Sequence, residues 1–523
     1  MNKTNIGKNS SLHKVAKGSI IVYLGSLMSA FLIFAGRLTI IRYWSQSEYG
    51  VFSLALVIIT IISFIASLGM VEGTIRSIAY TRGRKDYKKI PELISSSVVI
   101  SIISSILFGI LIFFFSEFIA INFFSDSSLI DPLRVFAIGI PFLTLIDILV
   151  SIFRGFGQVK PTVYFQHILI NLLFPIFLFV VIFFDKSVIN IYYSYVVSTI
   201  LVSILLLIYI YRYTSPKEVF SVSSALSSTA KKLVSFSLPL LGSTILFMLV
   251  LWTDTLLLGV FRSSSDVGLY NAATPLAQFI SFPLFSIGLI YMPVLSELYA
   301  RGKMDEIRRN YSILTKWLSL TVFPLFLIFF LFADTIVTSL FGQEYIFSAN
   351  ALRILSLGYM IHNLSGSNTS TLIGIGENQF ILYSTLVVAI LNIILNVILI
   401  PIWGIEGAAI ATAIALFSTN LLKCIKIYSK IGASPLSRNL IIPSIASIGI
   451  ILLVYFLLRD IITINFFIVI LFLLLYYLIF AGTVLFTRSL DKEDLDLLES
   501  IEQKAGVRIR FIENIILKFS KNK

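Results

Sequence analysis

Cysteine, histidine and charged residues are scarce in this sequence. It contains one cysteine, Cys424, and three histidines, which excludes an intrachain disulfide framework and a cysteine metal site. Only 13% of the 523 residues are charged, about half the share found in soluble globular proteins. This scarcity excludes a soluble enzyme and an intrinsically disordered chain.

The sequence is instead rich in long apolar runs. Hydrophobic residues make up 57% of the chain, enough for about 14 crossings of roughly 20 residues each. The runs are continuous rather than alternating, which argues against a membrane β-barrel. We place fourteen spans at residues 18–41, 49–71, 94–115, 133–153, 163–184, 188–211, 233–260, 268–293, 312–333, 352–373, 380–400, 406–427, 439–458 and 462–486.

The net charge of +13 is best explained by membrane orientation. Of the 40 lysines and arginines, 33 sort to the side of the membrane that holds the two termini. The positive-inside rule therefore predicts that both termini are cytoplasmic. The excess of positive charge then needs no nucleic-acid partner.

A weak internal repeat divides the chain. Residues 80–86 match 299–305 and residues 155–157 match 374–376, both at an offset of 219. The offset covers six spans, so both copies enter the membrane in the same direction. Such parallel repeats place the substrate between two halves. We predict an N-terminal six-helix lobe at 1–215, a second at 216–432, two additional helices at 433–487 and a cytoplasmic tail at 488–523. The tail is either an amphipathic helix at the membrane surface or a frayed basic segment.

Four segments resemble signatures of one transporter family. They are 45–52 (SQSEYGVF), 153–160 (FRGFGQVK), 341–345 (FGQEY) and 391–412, whose Asn–Asn–Pro–Gly–Gly order is the most specific. The chain resembles the polysaccharide/oligosaccharide flippases of the multidrug/oligosaccharidyl-lipid/polysaccharide exporter superfamily. The resemblance covers residues from about 12 to 430.

The resemblance implies an all-α membrane protein with two lobes in a V around a central cavity. It implies a plasma-membrane flippase, not an enzyme, that moves a lipid-linked oligosaccharide to the outer leaflet by alternating access. The expected partners are an isoprenoid-phosphate-linked saccharide, membrane lipids, and glycosyltransferases or a polymerase of the same pathway. No cofactor or metal is expected, although H⁺ or Na⁺ could drive transport. The two extra helices could form a groove for the lipid tail.

Arg37 is the first candidate for a substrate-binding residue. It shares a helical face with Ser26 and other small or polar residues of the first span. A guanidinium matches phosphate oxygens bidentately, and a cavity arginine could hold a lipid diphosphate. The alternative is that Arg37 lies near the outer end of the span and extends to the membrane surface.

Asp254 is a candidate for gating or ion coupling. The repeat aligns it with Gly36, so it could pair with Arg37 from the opposite lobe, or bind a proton or Na⁺. The competing interpretation is a local hydrogen bond to Thr253 or Thr255.

Three further charged residues lie toward the cytoplasmic side. Asp147 is a second candidate for gating or coupling, with a structural pair to Arg154 as the alternative. Glu72 and Arg76 stand one helical turn apart. They form either a simple pair or a rim that receives the head group.

The tenth span contains a polar run at 362–371. Facing lipid, such a run would carry a large desolvation cost. We expect His362, Asn363, Ser367 and Asn368 to line a cavity and bind saccharide, and His362 could also titrate. Tight packing of small residues between helices is the competing interpretation.

Two other functions are weighed against a flippase. A cation-coupled exporter of organic cations, from the same superfamily, would favour acidic cavity residues such as Asp254. A membrane glycosyltransferase or ligase would need a large outer loop with catalytic acids, and the predicted outer loops are short. The absence of a GxxxxGK[ST] loop argues against ATP as the energy source.

Overall fold

The computed structural model describes residues 4–213, 219–221, 223, 227–435, 438–459, 461, 465–487 and 489. These residues form helices and connecting turns, without β-strands. The helices are α1 Thr4–Tyr43, α2 Gln46–Ala66, α3 Met70–Gly83, α4 Ile90–Asn122, α5 Ile130–Gly155, α6 Ile170–Phe184, α7 Ile189–Ile210, α8 Ser228–Phe261, α9 Ser264–Gln278, α10 Phe282–Ala300, α11 Met304–Leu331, α12 Ala333–Phe341, α13 Ser348–Leu364, α14 Asn368–Gly374, α15 Asn378–Ile431, α16 Arg438–Leu458 and α17 Phe466–Phe486.

Ten helices of the described residues are long and apolar enough to cross a membrane. The number is eleven if α8, which bends by 46° between Ser228–Leu246 and Met248–Phe261, is counted as one span. The all-helical membrane fold is thus confirmed, whereas the count of fourteen is not. Predicted spans 380–400 and 406–427 both fall in α15, and spans 268–293 and 352–373 are each divided between two shorter helices.

Helix α15 contains a sharp break at Gly404. This residue has φ 58° and ψ −128°, outside the helical region, a conformation that glycine tolerates because it lacks a Cβ. The break leaves carbonyl groups of the preceding turn without helical donors. Arg262 supplies donors there, from Nε to the Ile400 carbonyl oxygen at 3.1 Å and from Nη2 to the Pro401 carbonyl oxygen at 2.8 Å.

The chain forms two compact units. Unit 1 contains Met1–Ala272 and Asn396–Ala408, and unit 2 contains Ala273–Leu395 and Ala409–Lys523. The predicted lobe boundaries at 215 and 432 stay predictions. The predicted tail, 488–523, lies outside the described residues apart from Ser489.

Unit 1 is organised around α5, which is apolar on nearly all sides and therefore buried. A core cluster that includes Ile148, Leu149 and Val202 fills the space between α5 and its neighbours. Helices α2 and α9 approach very closely: a Cβ on Gly50 would overlap the Ser264 carbonyl oxygen. This contact requires a residue without a side chain.

Unit 2 has its own apolar core. Its cluster includes Leu295, Ile307, Tyr311 and Leu372. Helix α13 lies against α15 at Gly358, where an added Cβ would be 2.8 Å from the Ala413 Cα. Small residues at such crossings allow the close helix packing that stabilises proteins in lipid.

The internal repeat is visible in local geometry. Gly157 and Gly376 both have positive φ, at 76° and 84°. At each turn the glycine N–H donates three residues back and the next N–H donates five residues back, as in a Schellman cap. The offset of 219 therefore marks the same helix-ending turn in two places.

The two repeat copies also begin a helix in the same way. Ser45 and Glu48 form a capping box at α2. Ser263 and Asp266, at an offset of 218, exchange the same pair of backbone-to-side-chain hydrogen bonds at α9.

Candidate functional site

A pocket in unit 1 contains Arg37. Its volume is about 180 Å³. Aromatic rings, small polar groups and one guanidinium face it, a mixture typical of small-molecule sites. It is lined by Ile33, Arg37, Phe52, Ser53, Leu56, Val57, Thr60, Asn171, Phe174, Tyr195, Trp252 and Asn271. Ser26 is half-buried on the same helix and is not among these residues.

Arg37 is a half-buried cation. Among the described residues, no carboxylate oxygen lies within 4.0 Å of its guanidinium. The predicted ion pair with Asp254 is therefore not formed in this structure. The buried hydroxyl of Tyr49 lies beside Arg37 and Ser53 and donates to the Asn271 carbonyl oxygen at 3.2 Å. A cation held in this way can accept an anionic ligand.

The second polar face of the pocket is fixed by amides. Asn171 donates from Nδ2 to Ser29 Oγ at 2.9 Å and to the His167 carbonyl oxygen at 2.9 Å. Asn271 donates to Thr255 Oγ1 at 3.2 Å and to the Val267 carbonyl oxygen at 2.9 Å. These bonds orient both side chains before any ligand enters.

Asp254 accepts hydrogen bonds from two neutral side chains. Tyr270 donates to Oδ2 at 2.6 Å and Asn396 donates to Oδ1 at 2.7 Å. The neighbouring threonines bond elsewhere, Thr253 to the Leu249 carbonyl oxygen and Thr255 to Asn271. All these residues belong to unit 1. The described residues contain no group of three or more acidic, histidine or cysteine side chains suited to a metal ion.

Asp147 is held by the π-helical segment Thr162–Leu169, which leads into α6. Gln166 of this segment donates from Nε2 to Asp147 Oδ1 at 2.7 Å. The alternative pair of Asp147 with Arg154 is not formed among the described residues, where no nitrogen–oxygen distance between the two is within 4.0 Å. Arg154 Nη1 instead lies 3.9 Å from Glu72 Oε1. π-helical turns are enriched at functional sites.

The predicted rim residues have separate partners. Glu72 faces Arg154, whereas the Arg76 guanidinium lies over the Phe236 ring, 4.1 Å from its centroid. A Glu72–Arg76 pair is not formed in the described part of the chain. Glu72 and Arg154 remain more than 40% exposed, so this ion pair contributes little to stability.

The polar run of the tenth predicted span lies in a buried network of unit 2. Asn368 is 2% exposed. It accepts from Tyr311 Oη at 2.5 Å and donates from Nδ2 to Asn420 Oδ1 at 3.4 Å. The Asn420 Nδ2 lies 2.6 Å from His362 Nδ1. Protein groups thus provide partners for this part of the run.

Asn363 and Ser367 are also buried. Asn363 donates from Nδ2 to Ser281 Oγ at 2.9 Å and to the Tyr359 carbonyl oxygen at 2.6 Å. The Ser367 carbonyl oxygen accepts from Thr371 Oγ1 at 2.9 Å. The saccharide-binding role predicted for these residues stays a prediction.

Lys423, which the sequence interpretation missed, is a buried cation of unit 2. It is 7% exposed and donates from Nζ to Thr369 Oγ1 at 3.0 Å. The signal was available, because a lysine inside a predicted span is a functional candidate by default.

A salt-bridge cluster lies at the ends of α15. Glu377 Oε1 is 2.7 Å from Lys430 Nζ, and Oε2 is 3.1 Å from Lys426 Nζ. Hydrogen bonds from Lys430, and next from Lys426, hold the pKa of Glu377 below its ordinary value.

Helices of membrane-spanning length, with polar groups held inside them, define a multi-pass membrane protein. Its fold is similar to that of a solved lipid II flippase, MurJ, with a TM-score of 0.69, 16% identity, and coverage of 88% of this chain and 98% of that one. A family model described as polysaccharide biosynthesis protein matches residues 40–350. The chain belongs to this polysaccharide biosynthesis family.

Two relatives extend the comparison. An uncharacterised membrane protein of Methanocaldococcus jannaschii is 26% identical over 432 residues, covering 77% of this chain and 82% of the relative. A probable low-salt glycan biosynthesis flippase of Haloferax volcanii is 28% identical over 169 residues, covering 32% of this chain and 36% of the relative.

Proposed function

We propose that this protein is a flippase that moves a lipid-linked oligosaccharide from the cytoplasmic to the outer leaflet of the plasma membrane. The observation that carries the proposal is Arg37, a cation that has no carboxylate within 4.0 Å in the described part of the chain and that lies in a pocket with aromatic side chains. Membership of a polysaccharide biosynthesis family and similarity to proteins described as flippases support the same conclusion.

The pocket has groups suited to a phosphate next to a sugar. The Arg37 guanidinium can donate two parallel hydrogen bonds to phosphate oxygens. The aromatic side chains of Phe174, Tyr195 and Trp252 offer apolar surface to a saccharide, while Asn171 and Thr60 provide polar groups. If the pocket recognises the phosphate and the first sugar, the identity of the remaining sugars of the glycan is less constrained.

We assign ion coupling to Asp254. Its two neutral donors stabilise the ionised carboxylate, and a proton or Na⁺ arriving there would change the bonds to Tyr270 and Asn396. These residues lie on different helices, so a change at Asp254 would be transmitted between helices. Asp147, bonded to Gln166 of the π-helical segment, is the second coupling candidate.

The remaining assignments follow the predicted orientation. Both termini face the cytoplasm, and Glu72 and Arg76 form the rim through which the head group enters. Ser26, on the helix of Arg37, extends the substrate path in unit 1. Saccharide binding by His362, Asn363, Ser367 and Asn368 stays a prediction, because packing in unit 2 accounts for the buried members of this run. Glycosyltransferases or a polymerase of the same pathway would supply and consume the substrate.

The test is leaflet exchange in liposomes containing the purified protein. A fluorescent polyprenyl-diphosphate saccharide should reach both leaflets, so that a quencher has access to it from either side of the membrane. In protein-free liposomes the label should stay in its original leaflet. Formation of glycosidic bonds, or transport of organic cations without lipid exchange, would overturn the proposal.

A further inference from the structure

Lys423 carries a positive charge that the described residues do not neutralise. Its side chain is 7% exposed, and no carboxylate oxygen lies within 4.0 Å of its Nζ in the described part of the chain. An ammonium group has three donors, and one of them is used by Thr369. Burying a charge without a counter-charge is costly, which points to a missing anionic partner.

The nearby acidic group of α15 is already engaged. Lys423, Lys426 and Lys430 recur at the three- and four-residue spacing of one helical face. Glu377 pairs with Lys426 through one oxygen and with Lys430 through the other. The three lysines therefore keep an excess of positive charge.

His362 does not supply a counter-charge for Lys423. Asn420 Nδ2 donates to the Leu416 carbonyl oxygen at 2.7 Å, and its Oδ1 accepts from Asn368. These bonds orient the amide so that Nδ2 faces His362 Nδ1. Nδ1 is then an acceptor and the imidazole is neutral. His362 therefore adds no charge, and the excess positive charge lies at Lys423.

Thr369, the hydrogen-bond partner of Lys423, lies at an accessible position. Thr369 is exposed, and its oxygen accepts from Lys423 while its hydroxyl proton remains available for donation. An ammonium and a hydroxyl donor side by side suit a phosphate group, which offers several acceptor oxygens. The lysine lies near the end of predicted span 406–427 that faces the cytoplasm.

We propose that Lys423 and Thr369 form a phosphate-binding site in unit 2 that receives the phosphate of the lipid-linked substrate at the cytoplasmic side. The proposal rests on the proposed function for the identity of the lipid. The site itself is independent of transport and can be tested by binding alone.

The experiment measures binding of three probes to the purified full-length protein in nanodiscs. The probes are polyprenyl diphosphate, phosphatidylglycerol and inorganic pyrophosphate. Lys423→Met should weaken phosphate binding by about tenfold or more, the size expected for a lost charge-assisted hydrogen bond. Lys423→Arg should retain binding, and Thr369→Val should show a smaller loss.

The three probes separate the sources of the phosphate. Selective binding of polyprenyl diphosphate identifies the substrate lipid, equal binding of phosphatidylglycerol identifies any lipid head group, and pyrophosphate binding alone identifies a soluble ligand. Only the first outcome supports the proposal as stated. The other two overturn its choice of lipid.

Thermal unfolding separates binding from a structural role. Without ligand, Lys423→Met should unfold no earlier than the wild type, because it removes an uncompensated buried charge. The bound probe should raise the wild-type Tm more than that of Lys423→Met, whose remaining increase reflects weaker binding and the Arg37 pocket. Equal binding by both proteins, or an equal Tm increase, would refute the site even if leaflet exchange succeeds.

Discussion

In unit 1, Arg37 and Asn171 line an open pocket, and Arg37 has no carboxylate within 4.0 Å among the described residues. In unit 2, Asn363 and Asn368 are almost fully buried and bond to other protein groups. Both regions carry polar residues inside predicted spans. A polar side chain of a membrane helix can thus avoid contact with lipid in two ways, by facing a pocket or by joining a packed network.

This difference separates two kinds of substitution. Changes in the pocket of unit 1 should alter transport while the fold survives. Changes in the network of unit 2 should alter stability first. Lys423 is an exception in the described part of unit 2, because no carboxylate oxygen there lies within 4.0 Å of its Nζ.

The largest expected effect concerns the close helix contact of unit 1. Gly50→Ala would place a Cβ on the Ser264 carbonyl oxygen, and since this atom belongs to the backbone, folding should be lost or weakened by more than about 4 kcal/mol. Gly83→Ala is the matched control, because no atom lies within 4 Å of its added Cβ. The yield of monodisperse protein and its Tm measure the effect. A Gly50→Ala protein as stable as the control would disprove the contact.

Asp254→Asn should reduce transport by about tenfold or more, the effect of losing hydrogen bonds to a charged group. The amide would also present a donor to either Tyr270 or Asn396, both of which now donate. Asp185→Asn, in an exposed loop, is the control. Wild-type rates and ion dependence in Asp254→Asn would remove Asp254 from the coupling site.

Asn368→Ala should cost about 1–3 kcal/mol of stability, because it leaves buried partners unpaired. Transport per folded molecule should stay at the wild-type level, as should both quantities in the exposed control Asn122→Ala. Lost transport with an unchanged Tm would show that Asn368 lines the substrate path, as the sequence suggested. The polar residues of units 1 and 2 would then not differ in their roles.

Arg262→Ala should have the smallest effect, about 1 kcal/mol of stability, because the residue is exposed while its guanidinium bonds the Ile400 and Pro401 carbonyl oxygens. Arg262→Lys should recover part of the loss, since one ammonium cannot reproduce the two-point contact. Chemical unfolding followed by tryptophan fluorescence provides the measurement. A larger loss than in Asn368→Ala would mean that the break at Gly404 controls the fold.

Much of the fold could be predicted from the sequence, because apolar length and helical turns are local properties. The repeat at an offset of 219 residues was detectable from matches such as those around Gly157 and Gly376, whose turns share one hydrogen-bond pattern. The sequence predicted two separate spans at 380–400 and 406–427, whereas the structure has one helix, α15, with a break at Gly404. The two cases could not be distinguished, because proline and glycine also mark true helix ends.

The site was harder to predict. Arg37 was singled out because an arginine inside a span is costly, and the structure places it on a pocket wall. The partners of Asp254 could not be deduced, because Tyr270 and Asn396 are 16 and 142 residues away. Burial of Asn363 and Asn368 depends on tertiary packing, which a polar run does not specify.

The Arg37 pocket is proposed to recognise the phosphate of a lipid-linked saccharide during transport. The most direct measurement compares leaflet exchange of a polyprenyl-diphosphate saccharide by Arg37→Gln and by Arg42→Gln, an exposed arginine of the same helix. Arg37→Gln should lose exchange by about tenfold or more at an unchanged Tm, while Arg42→Gln should remain active. Equal exchange by the two variants would contradict it.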